Sequence, residues 1–156
     1  MSQRSNDQEF KQALQKLDAT QQRTVAALFI EHVLPLSNDE RVQHAVKTAA
    51  NNTASQDEIS GALKSAKAAT IDCATRCGAE GNWTDQAGYF VARATVAALT
   101  PQAQTSSSSP AWQAALSCRM AQTSIQIDDD ADESAYSENE WQYGALSDYL
   151  QSQAIT

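Results

Sequence analysis

Proline and glycine are scarce, at three and five of 156 residues. A chain built of hairpins and short strands needs more turn formers than that, so a β-rich fold is disfavoured from the outset. Long apolar runs are missing too, and no stretch approaches the ~20 residues that a membrane-spanning helix requires. Met1 to Asp7 hold no apolar stretch and do not read as a signal peptide, so cytoplasmic residence is the default expectation. Cysteine is limited to Cys73, Cys77 and Cys118. An odd number without a secretory leader argues against a disulfide framework. The sequence also lacks a glycine-rich phosphate loop, a GxSxG nucleophile turn and an HExxH metal helix.

Hydrophobic residues make up 42% of the chain, which excludes wholesale disorder. Alanine dominates that set; it is the strongest helix former, and its small side chain lets helices approach closely. The length suits one domain with one core, and we read 1–156 as a single helical domain.

The net charge of −8 is unevenly placed. Residues 1–119 carry all eleven Lys and Arg with eleven acids, and so sum to zero. Residues 120–156 carry eight acids and no base: Asp128, Asp129, Asp130, Asp132, Glu133, Glu138, Glu140 and Asp148. Such an end repels polyanions, and no basic cluster offsets it, so nucleic acid is not an expected partner. The acidic stretch is read either as a solvated, solubilising loop or as a face for a basic partner.

Apolar spacing and capping residues predict helices along most of the chain. Phe10, Ala13, Leu14 and Leu17 follow an amphipathic pattern. A second helix runs from about Thr20 until Pro35 stops it. Ser37 with Glu40 offers a capping box for a third helix carrying Val42, Ala45, Val46 and Ala49, with Asn51 and Asn52 as a left-handed exit. Ser55 with Glu58 repeats the box before Ile59, Ala62, Ala66, Ala69, Cys73 and Cys77, and Gly78 and Gly81 end that helix. Thr84 caps a fifth helix with Ala87, Phe90, Val91, Ala94 and Ala98 inward. A loop at 101–109 leads to Pro110 and a sixth helix facing inward through Trp112, Ala115, Leu116 and Met120. After a loop at 128–136, Ser137 and Glu140 cap a last helix with Trp141, Ala145, Leu146, Tyr149 and Leu150. The expected fold is all-α, a compact antiparallel bundle of about seven helices, with stacked helical hairpins as the alternative.

Candidate chemistry is sparse. Cys73 and Cys77 lie one turn apart and could supply two zinc ligands, but no cysteine–histidine spacing completes a site, so core packing is the better reading. His32 and His44 sit on different helices, and no catalytic dyad is spelled out. Aligning Asp128, Asp130 and Asp132 with a calcium loop puts Glu133 where glycine belongs and Asn139 where the bidentate glutamate belongs. No cofactor and no metal are expected. Trp83, between Gly81-Asn82 and Thr84, reads as a loop tryptophan able to anchor an interface.

Three segments carry a resemblance: Glu31-His32-Val33-Leu34-Pro35-Leu36 leading into Asp39 to Val46, the alanine-rich pair of helices across 59–99, and Glu140-Trp141-Gln142-Tyr143 through Leu150. Together they resemble alanine-rich, all-helical bacterial immunity proteins of polymorphic toxin systems, or a related uncharacterised family. The resemblance implies neutralisation of a toxin by binding, without catalysis, and it transfers no functional residue. The expected function is therefore a noncatalytic intracellular protein-binding domain, whose partner could be a basic toxin domain met through Asp128, Asp129, Asp130, Asp132, Glu133 and Trp83. No membrane is involved in this reading, and self-association stays open. The alternative is a small helical enzyme or ligand-binding bundle with a cavity near His32, His44, Cys73 and Cys77.

Overall fold

The computed structural model describes the backbone at 3–37, 39–51, 53–80, 83–100, 110–129 and 134–155. Side chains are described there except at 3–7, 19, 76–80, 83–85, 124–129, 134–140 and 153–155. Seven α-helices fill those residues: α1 (Gln3–Gln15), α2 (Ala19–Val33), α3 (Glu40–Ala50), α4 (Gln56–Glu80), α5 (Trp83–Leu99), α6 (Pro110–Asp129) and α7 (Ser134–Ile155). A 3₁₀ turn at Leu34–Leu36 joins α2 to α3, and no strand occurs among the described residues. The all-α bundle is what the apolar spacing predicts. None of these helices is long and apolar enough to cross a membrane.

Helix α5 is the hub. It packs against α2, α3, α4 and α6, and α2 in turn touches α3, α6 and α7. Helix α2 thus closes on non-consecutive neighbours, which is the pattern of a bundle rather than of an open stack. One core cluster draws on α1 through α7, from Phe10 and Leu14 to Leu146. Phe29, Leu14 and Ile30 are its largest fully buried apolar side chains. Burial of each is worth ~1.5–3 kcal/mol, whereas a buried alanine methyl contributes only ~0.8 kcal/mol. The many alanines therefore act chiefly by letting backbones approach. On α5, Ala87, Val91, Ala94 and Ala98 are buried as their spacing predicts, together with Ala92, Thr95 and Leu99 on further faces.

Several helix ends differ from the predicted ones. Asp18, unremarked in the sequence, caps α2: its carboxylate accepts from the Gln21 N–H at 2.8 Å, and the Gln21 side chain accepts from the Asp18 N–H at 3.1 Å. Asp39 rather than Ser37 caps α3, accepting from the Arg41 N–H at 2.9 Å. Asn51 leaves α3 in an extended conformation, not a left-handed one. The Ser55–Glu58 box forms as expected, at 3.1 and 3.3 Å. Helix α4 continues through Gly78 to Glu80, α5 already includes Thr84, and α7 starts before Ser137, so none of these marks an end. A glycine costs a helix only ~1 kcal/mol, and a long packed segment tolerates it.

Helix α6 faces inward through Ala115 and Trp112 as expected, but not through Leu116 and Met120. Ala111, Ala114, Ala115, Cys118 and Ala121 are buried, while Leu116 and Met120 are 38% and 47% exposed. Both faces have helical periodicity; the small one wins because α6 lies close against α5 and α2. On α7, Leu146 is buried and Ala145 and Tyr149 pack against the core as expected, with Gln142 also buried, whereas Trp141 and Leu150 are exposed.

Two buried glutamines tie the periphery to the bundle. Gln22 Nε2 donates to the Leu14 carbonyl and, at 3.4 Å, to that of Leu17, while its Oε1 accepts from the Ala111 N–H at 3.1 Å. It thereby joins the end of α1 to the first turn of α6, where backbone N–H groups lack helical partners. Gln142 Nε2 donates to the Ala115 carbonyl at 3.1 Å, and its Oε1 accepts from Arg119 Nε at 2.9 Å. The Arg119 guanidinium lies 5.5–5.9 Å from the ring centres of Phe10, Trp112 and Tyr143, so one cation holds together aromatics of α1, α6 and α7.

Candidate functional site

The largest described groove opens where α4 and α6 both pack along α5 without substantial packing on each other. Its volume is about 690 Å³. The floor is α5, with Tyr89, Arg93, Val96, Ala97 and Thr100; α4 contributes Lys67, Thr70 and Ile71, and α6 contributes Gln113 and Ser117. The α5 residues recur at i, i+4, i+7, i+8 and i+11, one continuous stripe, which runs ~16 Å at 1.5 Å per residue. Alanine at 92, 94 and 98 lets α5 sink between its neighbours and leaves the stripe as a trough.

Chemically the trough is apolar along its floor and cationic at its edge. Val96 and Ala97 are half-buried, Ile71 is 66% exposed, and Lys67 and Arg93 stand out to solvent. No acid lines the groove among the described residues. The Arg93 guanidinium sits 5.8 Å from the Tyr89 ring centre, which steadies it without neutralising it. Two hydroxyls are already committed: Thr70 donates to the Ala66 carbonyl at 2.7 Å and Thr100 to that of Val96 at 2.7 Å. The groove's described lining offers contact by charge, through Lys67 and Arg93, and by apolar surface, through Ile71, Val96 and Ala97.

The residues singled out from the sequence lie elsewhere. His32, exposed near the end of α2, stacks on Trp141 of α7 with ring centres 3.7 Å apart and planes 8° apart. This contact joins two of the three segments on which the family resemblance rests. His44 is exposed on α3. Cys73 and Cys118 are buried in the core and form no disulfide. None of the described grooves is lined by His32, His44 or Cys73, and no group of three His, Cys, Asp or Glu is placed to hold a metal among the described residues. The Cys77 side chain lies outside the described residues. Trp83 opens α5 rather than lying in a loop, and its side chain too is outside them. Of the predicted loop at 128–136, Asp128 and Asp129 belong to α6 and 134–136 to α7, and Asp130, Asp132 and Glu133 lie outside the described residues. So does 101–109.

Elsewhere on the surface, Arg41 bridges α3 to α4. Its Nη2 lies 2.8 Å from Asp39 and 2.9 Å from Asp72, and hydrogen bonding to these carboxylates, Asp39 foremost, raises the guanidinium pKa further. Burial, with the nearby Asp18 charge second, raises the Tyr149 phenol above its ordinary value.

Lys67, Arg93 and Tyr89 escaped the reading of the sequence because nothing in it places residue 67 beside residue 93. One signal was available. Ile71 falls off the stripe of Ile59, Ala62, Ala66, Ala69 and Cys73, and a large apolar residue on the wet face of a helix marks a contact surface when others join it. No family model matches the chain, and no curated protein or solved structure does so either.

Proposed function

We propose that this chain is a noncatalytic, cytoplasmic protein-binding domain, and in its most specific form an immunity protein that neutralises a toxin by occupying it. The observation that carries the reading is the open α4–α5–α6 groove, in which exposed Ile71 and half-buried Val96 and Ala97 lie beside the cations Lys67 and Arg93. A trough combining apolar and charged side chains is suited to a complementary partner surface. The resemblance to immunity proteins supplies the class of partner, and the acidic residues of 120–156 suit a toxin domain that is basic overall.

The test is coexpression with the product of a large secreted-toxin gene adjacent to its own. A stable one-to-one complex by light scattering, together with rescue of growth from the toxin, is the expected result. Failure of the two purified proteins to associate at micromolar concentration, with no rescue, would refute it.

A further inference from the structure

We propose that the α4–α5–α6 groove is the docking site for an acidic amphipathic helix of a protein partner, about three turns long. The proposal rests on the protein-binding reading above and adds to it the place and the chemistry. Length comes first. The α5 floor from Tyr89 to Thr100 extends ~16 Å, which a helix of about eleven residues matches. Shape follows. A small ligand needs walls that enclose most of its surface, and this trough is open along its length, so it suits a rod laid between two flanking helices. Apolar residues at i, i+3 or i+4 and i+7 of the incoming helix would meet Val96, Ala97 and Ile71.

Charge decides between an acidic and a basic occupant. Lys67 and Arg93 face the groove, and among the described residues neither makes an ion pair with a carboxylate and no acid lies in the lining. A basic helix would bring like charges together with nothing to separate them. Carboxylates flanking the apolar stripe would instead reach Lys67 on α4 and Arg93 on α5.

A phage-displayed library of random sixteen-residue peptides, selected against the whole chain, tests this directly. Enriched peptides should carry Asp or Glu beside an i, i+3, i+4, i+7 apolar pattern. Synthetic copies should perturb backbone amides of 67–71, 89–100 and 113–117 in nitrogen-15 spectra. The double reversal Lys67→Glu with Arg93→Glu should weaken them by about tenfold at low salt and less at high salt. Ile71→Ser should weaken them severalfold at both, and because Ile71 is exposed, folding survives. Decanoate serves as the small-anion control. Enrichment of basic peptides, binding that maps to another face, no enrichment at all, or perturbation of these amides by decanoate alone would each overturn the proposal. The protein-binding reading fails separately, through the absence of a toxin complex.

Discussion

Replacing Gln22 by leucine tests whether the buried glutamine fastens α6 to the rest of the bundle. Leucine has nearly the same volume, so the substitution opens little cavity and the change is electrostatic. The Ala111 N–H loses its 3.1 Å acceptor in a place where both residues are at most 1% exposed. That donor sits at the second position of α6 and has no intrahelical partner to fall back on. A buried donor left unsatisfied costs ~1–3 kcal/mol. The Leu14 carbonyl fares better, because it also accepts from the Leu17 N–H at 3.2 Å. Gained apolar contact returns part of the loss, and we expect a net destabilisation of ~2 kcal/mol. Urea unfolding followed by circular dichroism should show a lower midpoint at unchanged slope, and Tm should fall by ~4–8 °C. Gln22→Glu separates acceptor from donor. It keeps an oxygen for Ala111 but sets a carboxylate against the Leu14 carbonyl, so it should cost more than leucine at neutral pH and recover towards acid. If Gln22→Leu unfolds within ~0.5 kcal/mol of the parent, the buried N–H finds another partner and the clip is not what holds α6 in place.

Other expectations follow from the same contacts. The Tyr149 phenol has a raised pKa in the folded state, so its share of stability is complete below the ordinary value of 10.0 and is lost as pH rises through the folded value. Tyr149→Phe should reduce the alkaline loss of stability, and a phenolate absorbance that appears above pH 10.0 in the parent should be missing. Cys73 and Cys118 are buried, so a thiol reagent should label them only at the rate at which the bundle opens, and urea should accelerate both together. Replacing Asp128, Asp129, Asp130 and Asp132 by asparagine should slow association with a verified partner at low salt and change it little at high salt, without loss of helix by circular dichroism. A wild-type association rate at low ionic strength would make that segment a solubility device only.

The fold was legible because its signals are local. Spacing alone located α1 through Phe10 and Leu14, and α3 through Val42 and Val46, all buried. The Ser55–Glu58 box marked the start of α4 within a residue. Where the sequence offered two periodic faces, as on α6, it could not choose. Leu116 and Met120 are more hydrophobic than Ala111 and Ala114, yet close helix approach selects the smaller side chains, and only the neighbouring helices decide that. The groove was hidden for a related reason. Its cations are separated by 25 residues and join only through the packing of α4 on α5. Histidine and cysteine drew attention as the usual reactive types, but His32 stacks on Trp141 at the surface and Cys73 fills core volume.

The placement of the two charged features bears on how a partner would be oriented. Ser117 borders the groove and Asp128 stands near the end of the same helix, eleven residues on. At 1.5 Å per residue the backbones of these positions are ~16 Å apart along α6. Screening at physiological ionic strength acts over ~8 Å, so this spacing along α6 exceeds the screening distance. Under the proposed function, a partner that is basic overall would be steered to the acidic end from a distance, whereas its acidic helix would gain only on reaching the groove. Opposite signs at the two features would penalise the reversed approach. Orientation would then be set before apolar contact with Ile71, Val96 and Ala97 is made, which is how a small surface can select one partner among many of similar hydrophobicity.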